Sequence, residues 1–326
     1  MNDEMTRAAE VLSDAEEVAL ACHVNPDTDA LGSMLGLSIV LRSRGARTLC
    51  SFANQPFEVP RWVGVLAGTE ALVPPATFPK APEIMVTCDA ASLDRLGSLG
   101  SNAARARELI WIDHHVSNEG LGTIPLIDPS ASSTCEMVVR LVRVMGVDLP
   151  DEAALCLYAG LVTDTGRFQF ASARPETLRL AAELREHPFD HTRLAQALYE
   201  DNATAYLKLQ GVALHRMTLA EEADLAWTYL TQADLAAAGV HPSETDDLID
   251  VVRTARETDV AAVMKQQRDG RFRVSLRSRG GHDVSKVASI FGGGGHRLAS
   301  GYTSNHGLAG TVERLESALR GEPVEP

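Results

Sequence analysis

A chain of 326 residues exceeds what one hydrophobic core usually supports, so two domains are expected. Hydrophobic residues make up 45% and aromatic residues 5%, ordinary for an α/β protein, and no run of about 18 apolar residues is present to span a bilayer. The formal charge of −14 repels long nucleic acids, whose binding relies on a basic surface that releases counterions, yet it permits a small anion held through metal ions.

The N-terminus, MNDEMTRAAEVLSDAEEV, has neither the basic segment nor the continuous apolar core of a signal peptide, and a cytoplasmic protein is expected. The cysteines at 22, 50, 88, 135 and 156 show no CxxC spacing, and their odd number argues against a disulfide framework. Helical spacing over residues 5–16 precedes the apolar run Val18 to Val24, which halts at Asn25-Pro26 and reads as a buried parallel strand. The cluster His23-Val-Asn-Pro-Asp-Thr-Asp29 therefore sits at the C-terminal end of a strand. A helix over 31–44 ends at Gly45 and strand returns from Arg47 to Phe52, completing a βαβ unit. Ile84 to Cys88 is a further apolar run that stops on Asp89, and Leu109 to Ile112 another that stops on Asp113. Open α/β sheets bind ligands outside the carboxyl ends of their strands, so these acids should converge in space.

Ser133-x-x-Glu136 has the spacing of a capping box for a helix over 134–145, and Asp151 is placed to cap another that runs through Val162, with Asp164 at its end. Residues 190–220 carry helical spacing at Leu194, Leu198, Tyr206, Leu209 and Val212. From about 222 an α+β pattern follows: strand Leu225 to Leu230, helix 245–255, strand Ala261 to Gln266, and strand Arg271 to Arg277 after an Asp269-Gly270 turn. Gly292-Gly-Gly-Gly295-His296 and a helix over 307–320 close the chain, and only the final GEPVEP reads as disordered. The boundaries read as a first domain over 1–188, a helical linker over 189–220 and a second domain over 221–326.

His23-x-x-x-Asp27-x-Asp29 packs an imidazole and two carboxylates into one loop, where the acids raise each other's pKa unless cations neutralise them. A His/carboxylate mixture suits manganese better than magnesium, and the absence of cysteine ligands weighs against structural zinc. Taken singly, each residue has an ordinary explanation: His23 as a strand-end histidine, Asp27 and Asp29 as turn or N-cap residues, Asp89 and Asp164 as loop acids. Together with Asp113, His114 and His115 they form a ligand set large enough for two metals. Two adjacent histidines on extended backbone cannot point the same way, so one is expected on metal and the other facing substrate.

In order along the chain, His23-Val-Asn-Pro-Asp-Thr-Asp-Ala-Leu-Gly-Ser33, Asp89, Asp113-His114-His115 and Asp164-Thr165 resemble the four motifs of the DHH/DHHA1 phosphoesterase superfamily. Gly292-Gly-Gly-Gly-His296 resembles the signature of that superfamily's second domain, so the resemblance covers nearly the whole chain. It implies an α/β fold: an N-terminal, Rossmann-like DHH domain with a parallel sheet, a helical linker and a smaller α+β DHHA1 domain. It further implies two Mn²⁺ per chain, with Mg²⁺ or Co²⁺ as substitutes. His23, Asp27 and Asp89 would ligate one ion, and Asp29, Asp89, His114 and Asp164 the other, with Asp89 bridging. A hydroxide between ions about 3.5–4 Å apart is then expected to attack phosphorus in line. His115 is expected to meet a phosphoryl oxygen or the leaving group, and Asp113 to orient a ligand histidine, which with Asp89 makes up the catalytic set.

A glycine run lets backbone N–H groups converge on an anion, particularly where it opens a helix. The resemblance implies that Gly293, Gly294 and Gly295 recognise nucleotide, with His296, Arg277 and Arg279 adding donors. Catalysis in a cleft between the domains would limit substrates to short ones. The short architecture resembles the oligoribonuclease and 3′-phosphoadenosine 5′-phosphate (pAp) phosphatase group, which includes enzymes that cleave cyclic di-AMP or pApA. The expected partners are therefore short RNA oligonucleotides, cyclic di-AMP, pApA or pAp, without long nucleic acid or membrane, and a homodimer through the first-domain helices is compatible with the pattern. No basic, aromatic-interleaved extra domain is present, which argues against a processive RecJ-like nuclease. Two readings stay open beside this one: a manganese-dependent inorganic pyrophosphatase, although the second domain here is lysine-poor, and a dinucleotide sensor without catalysis.

Overall fold

The structure is a computed structural model and describes residues 2–118 and 120–324. The chain divides between Glu200 and Asp201 into two compact units.

The first unit runs α1 (Asn2–Ser13), β1 (Glu17–Cys22), α2 (Thr28–Ser43), β2 (Arg47–Ser51), β3 (Ile84–Cys88), the single turn α3 (Gly100–Ala103), β4 (Glu108–Asp113), β5 (Ile124–Ile127), α4 (Thr134–Met145), α5 (Asp151–Asp164), α6 (Pro175–Leu184) and α7 (His191–Tyr199). Its strands form one parallel sheet in the order β2-β1-β3-β4-β5. The order reverses between β1 and β3, and at such a switch point the connections leave in opposite directions and open a crevice at the carboxyl ends. Both faces of the sheet are covered: Val18, Leu20, Val86 and Ile110 enter the core shared with α2, α4 and α5, while Ala19, Ala21, Met85 and Trp111 enter a second cluster behind it. Burial on both sides is why these strands read as unbroken apolar runs.

Three local expectations are corrected. Helix α2 begins at Thr28, earlier than 31, because the Asp27 carboxylate accepts the Ala30 N–H at 3.0 Å and caps it. Ser133 caps α4 by accepting from Glu136 N at 3.1 Å, but the Glu136 carboxylate takes the Ser132 N–H at 2.8 Å instead of returning to Ser133, so only half of the capping box forms. Asp151 is the first residue of α5, with Pro150 in the cap position, and its carboxylate meets His187 Nδ1 at 2.7 Å.

The second unit runs α8 (Thr204–His215), β6 (Thr218–Ala220), β7 (Leu225–Leu230), α9 (Gln232–Ala238), α10 (Leu248–Val252), β8 (Val260–Gln266), β9 (Phe272–Ser278), α11 (Val284–Ile290), β10 (Gly294–His296), β11 (Ala299–Ser304) and α12 (Leu308–Leu319). Its sheet is mixed, ordered β10-β11-β9-β8-β7-β6, with β7 and β8 parallel and the other pairs antiparallel. Phe272, Val274 and Leu276 alternate onto the face that carries α11 and α12, while Leu230, Ala261 and Val263 line the face under α8, α9 and α10. The helix expected over 245–255 is reduced to α10.

The stretch 189–220 is divided: α7 buries Leu194 in the first core, and α8 buries Tyr206, Leu209 and Ala213 in the second unit. Of the closing tail, residues 325 and 326 lie outside the described residues, and Val324 packs against the second core. All five cysteines are buried and free. Among the described residues, no helix is long and apolar enough to cross a membrane.

Candidate metal centre

The register of the first sheet brings the expected acids together. Cys22 pairs with Cys88 and Cys88 with Ile112, so His23, Asp89 and Asp113-His114-His115 leave three neighbouring strands at one level. Asp89 continues the ladder by donating its N–H to the Ile112 carbonyl at 2.9 Å, and its φ of 58° is left-handed, which an aspartate tolerates better than most residues. Asp27 and Asp29 arrive on the first turn of α2, and Asp164 is the last residue of α5.

Ligand atoms of His23, Asp27 and Asp89 cluster within 4.8 Å of one another, and so do those of Asp29, His114 and Asp164. His23 Nε2 lies 3.7 Å from Asp27 Oδ2 and 3.5 Å from Asp89 Oδ2. His114 Nε2 lies 3.4 Å from Asp164 Oδ2, 3.6 Å from Asp89 Oδ1 and 3.9 Å from Asp29 Oδ2. The two oxygens of Asp89 thus face different groups. Most of these gaps are too long for hydrogen bonds but near the spacing of about 3 Å or more that neighbouring ligands adopt around a divalent ion with bonds of roughly 2.1 Å. Burial, reinforced by the Asp89 charge, pushes the Asp29 carboxyl up to about 7. Although burial works to lower it, the Asp27 and Asp89 carboxylates raise the His23 imidazole to about 10. A set of imidazoles and carboxylates under this mutual stress, buried at His23, Asp29 and Asp89 and open to solvent at Asp27 and Asp164, fits divalent cations, whose charge would relieve it.

The histidines are oriented by different groups. His23 Nδ1 meets the Val24 carbonyl at 2.8 Å, and the His114 ring is held by the Ala131 carbonyl, which leaves Nε2 of each facing the carboxylates. Of the two histidines that follow it, Asp113 holds the ring of His115 and meets His114 only at its backbone N–H. Its Oδ1 accepts His115 Nδ1 at 2.7 Å and His114 N at 3.0 Å, and its Oδ2 accepts Asn118 Nδ2 at 2.7 Å. Fully buried and bonded on both oxygens, Asp113 is a clamp. Asp89, His114 and His115 also cluster, with His115 Nδ1 at 3.7 Å from Asp89 Oδ1, but that nitrogen is engaged by Asp113. The two rings stand edge to face at 62° with centroids 5.0 Å apart, and a nitrogen of each lies near the same Asp89 Oδ1, so the adjacent histidines converge on one carboxylate instead of pointing apart as expected.

Several supporting residues carried no sequence signal of their own. The first turn of α4 supplies Thr134 N and Cys135 N to the two oxygens of Asp29 at 2.7 and 2.9 Å, and Thr134 Oγ1 to Asp89 Oδ1 at 2.9 Å. Asn118 and Trp111 both donate to the Ala90 carbonyl, at 3.2 and 2.6 Å, and so secure the turn that follows Asp89. At Gly160 in α5 a Cβ would stand 2.8 Å from the Asp29 Cα, so only glycine lets the two helices approach this closely.

In the second unit, Arg277 on β9 donates to the Leu276 carbonyl at 3.2 Å and lies 3.6 Å from Asp250, while Arg279 follows β9 and donates to the Ala255 carbonyl at 2.9 Å. The glycine run closes α11 and enters the hairpin of β10 and β11, so it does not open a helix. Gly294, Gly295 and His296 are exposed, and Gly295 has a φ of 138°. Asp224, Asp259 and His282 also cluster, but Asp259 is occupied by the Ser278 hydroxyl at 2.7 Å and the Gly281 and His282 N–H groups at 2.9 and 3.0 Å, which makes it a loop clamp.

The model of the DHH family, N-terminal domain, matches residues 17–161, and that of the DHHA1 domain matches residues 227–321. The bifunctional oligoribonuclease and PAP phosphatase NrnA of Thermus thermophilus is 32% identical, over 98% of this chain and 94% of that protein. The cyclic-di-AMP phosphodiesterase GdpP of Geobacillus thermodenitrificans is 27% identical, over 97% of this chain and 50% of that protein. An exopolyphosphatase-related protein from Bacteroides fragilis has a TM-score of 0.91 at 25% identity, covering 98% of this chain and 96% of that one.

Proposed function

Since the chain belongs to the DHH family and carries a DHHA1 domain, which makes it a metal-dependent phosphoesterase, we propose that it hydrolyses short nucleotides with Mn²⁺ as its working metal. The proposed substrates are oligoribonucleotides such as pApA, cyclic di-AMP and pAp, in line with the names of its relatives. The observation that carries this reading is Asp89, whose two oxygens face two separate groups of imidazole and carboxylate.

On this reading His23, Asp27 and Asp89 hold one ion, and Asp29, Asp89, His114 and Asp164 hold the other. Divalent ions lower the pKa of bound water and neutralise phosphoryl oxygens, which provides both nucleophile and charge stabilisation. The chain's own groups do the positioning. With Nδ1 held by Asp113, His115 is turned so that its other nitrogen, Nε2, meets a phosphoryl oxygen or passes a proton to the leaving group. Arg277, His296 and the N–H groups of Gly293, Gly294 and Gly295 are assigned to the nucleotide. A net charge of −14 favours substrates with few phosphates, because an acidic chain repels a long polyanion, whose binding relies on many basic groups that displace its counterions.

The test offers Mn²⁺-loaded protein pApA, longer RNA, cyclic di-AMP, pAp and pyrophosphate, and identifies the products of each. AMP from pApA and pAp is expected, with longer RNA slower. Pyrophosphate as the sole substrate would overturn the nucleotide assignment.

A further inference from the structure

Both ligand groups depend on how the Asp89 carboxylate is oriented, and the Thr134 hydroxyl reaches it. Thr134 is fully buried at the first position of α4, and its place is fixed because Ser133 caps that helix. Its hydroxyl donates to Asp89 Oδ1 at 2.9 Å. That oxygen faces His114 at 3.6 Å, whereas Oδ2 faces His23 at 3.5 Å. The Thr134 N–H meanwhile donates to Asp29 Oδ2 at 2.7 Å. One residue therefore touches two carboxylates assigned to the same ion, and it leaves the Asp89 oxygen of the other ion alone. A buried threonine hydroxyl must find some acceptor, and within a helix it commonly takes a carbonyl of the preceding turn, as Thr163 and Thr165 do here. Thr134, at the start of its helix, takes the shared carboxylate.

We propose that Thr134 is a positioning residue for the ion held by Asp29, Asp89, His114 and Asp164, and sets the affinity of that ion separately from its neighbour. The inference rests on the two-ion reading above. Fixing Asp89 Oδ1 by a hydrogen bond on one side presents its remaining lone pair to the His114 group, and partners of this kind are worth about 10–100-fold in metal affinity when lost. The backbone N–H to Asp29 survives any substitution at 134 other than proline, so the hydroxyl can be tested alone.

The experiment titrates metal-stripped, full-length protein with MnCl₂ in a calorimeter, without substrate, alongside thermal melts. Wild type is expected to bind two ions. Thr134→Val should weaken one of them about 10–100-fold and leave the other unchanged, and Thr134→Ser should restore the wild-type titration. In an Asp164→Asn background, where a ligand of the same group is already gone, adding Thr134→Val should change the remaining ion little. If Thr134→Val melts well below wild type, Thr134→Ala makes the same deletion with a better helix former. A Thr134→Val titration that superimposes on wild type, or equal weakening of both ions, or failure of Thr134→Ser to rescue, would each overturn the proposal. Wild-type protein that binds no second ion would instead bring down the two-ion reading itself.

Discussion

Asp89 combines a left-handed backbone, burial and a carboxylate that faces two ligand groups, so changes there separate charge from fold. Asparagine tolerates the same backbone but offers a neutral, poorer ligand. Asp89→Asn should therefore keep its circular dichroism spectrum while phosphoesterase activity falls by more than the 10–100-fold typical of losing an indirect partner. His115 is the contrasting case, held by Asp113 at 2.7 Å and placed at the edge of the cluster. His115→Ala should lower kcat by about 10²–10⁴-fold, the range for a lost proton-transfer group, with the Mn²⁺ stoichiometry intact. A lost ion in that variant would make His115 a ligand instead.

Helices α2, α4 and α5 hold the carboxylates through close packing, and glycine marks where they meet. An added Cβ at Gly160 would lie 2.4 Å from Cys135 Sγ and 2.8 Å from the Asp29 Cα. Overpacking of this kind costs about 1–3 kcal/mol, more than the roughly 1 kcal/mol that alanine gains in helix propensity. Gly211 in α8 has open space where a methyl group would stand, with nothing within 4 Å, so only the propensity acts there. Gly160→Ala is expected to lower the melting temperature and Gly211→Ala to raise it, and the same sign for both would refute the packing argument. In the second unit Asp259 ties the start of β8 to the loop after β9. Burial alone would raise its carboxyl, but the Gly281, Ser278 and His282 hydrogen bonds hold it at about 2. A folded-state pKa below the unfolded value of about 4 gives stability that is present above pH 4 and lost as pH falls through 2. Asp259→Asn should remove roughly 2 kcal/mol at neutral pH and flatten the acid limb of the stability curve, read by urea unfolding at pH 2 to 7.

For the whole molecule, ions that bind only the folded first unit must stabilise it, by about 2.7 kcal/mol per site at 100 times the dissociation constant. Mn²⁺ should raise the melting temperature, EDTA should reverse the gain, and an unchanged melt would count against any resident metal. The N-terminal acids, the strands they terminate and their convergence are legible in the residues, because a parallel sheet buried on both faces leaves unbroken apolar runs that stop where the chain meets the crevice. Helix starts are less legible: Asp27 is both a cap and a member of the cluster, and Asp151 is not the cap. Strands β10 and β11 escape because the first is only Gly-Gly-His and the inward positions of the second are Ser300, Tyr302 and Ser304, which leave no apolar period to detect. What the sequence by itself determined was the inventory of ligands and the strand ends on which they ride, since those follow from local periodicity. Which group holds which carboxylate was decided only by tertiary structure: Thr134 on Asp89 and the start of α4 on Asp29. Hydrogen bonds between residues 45 and 105 positions apart leave no mark on local pattern, because their energy depends on a geometry that exists only once the sheet and its helices have packed.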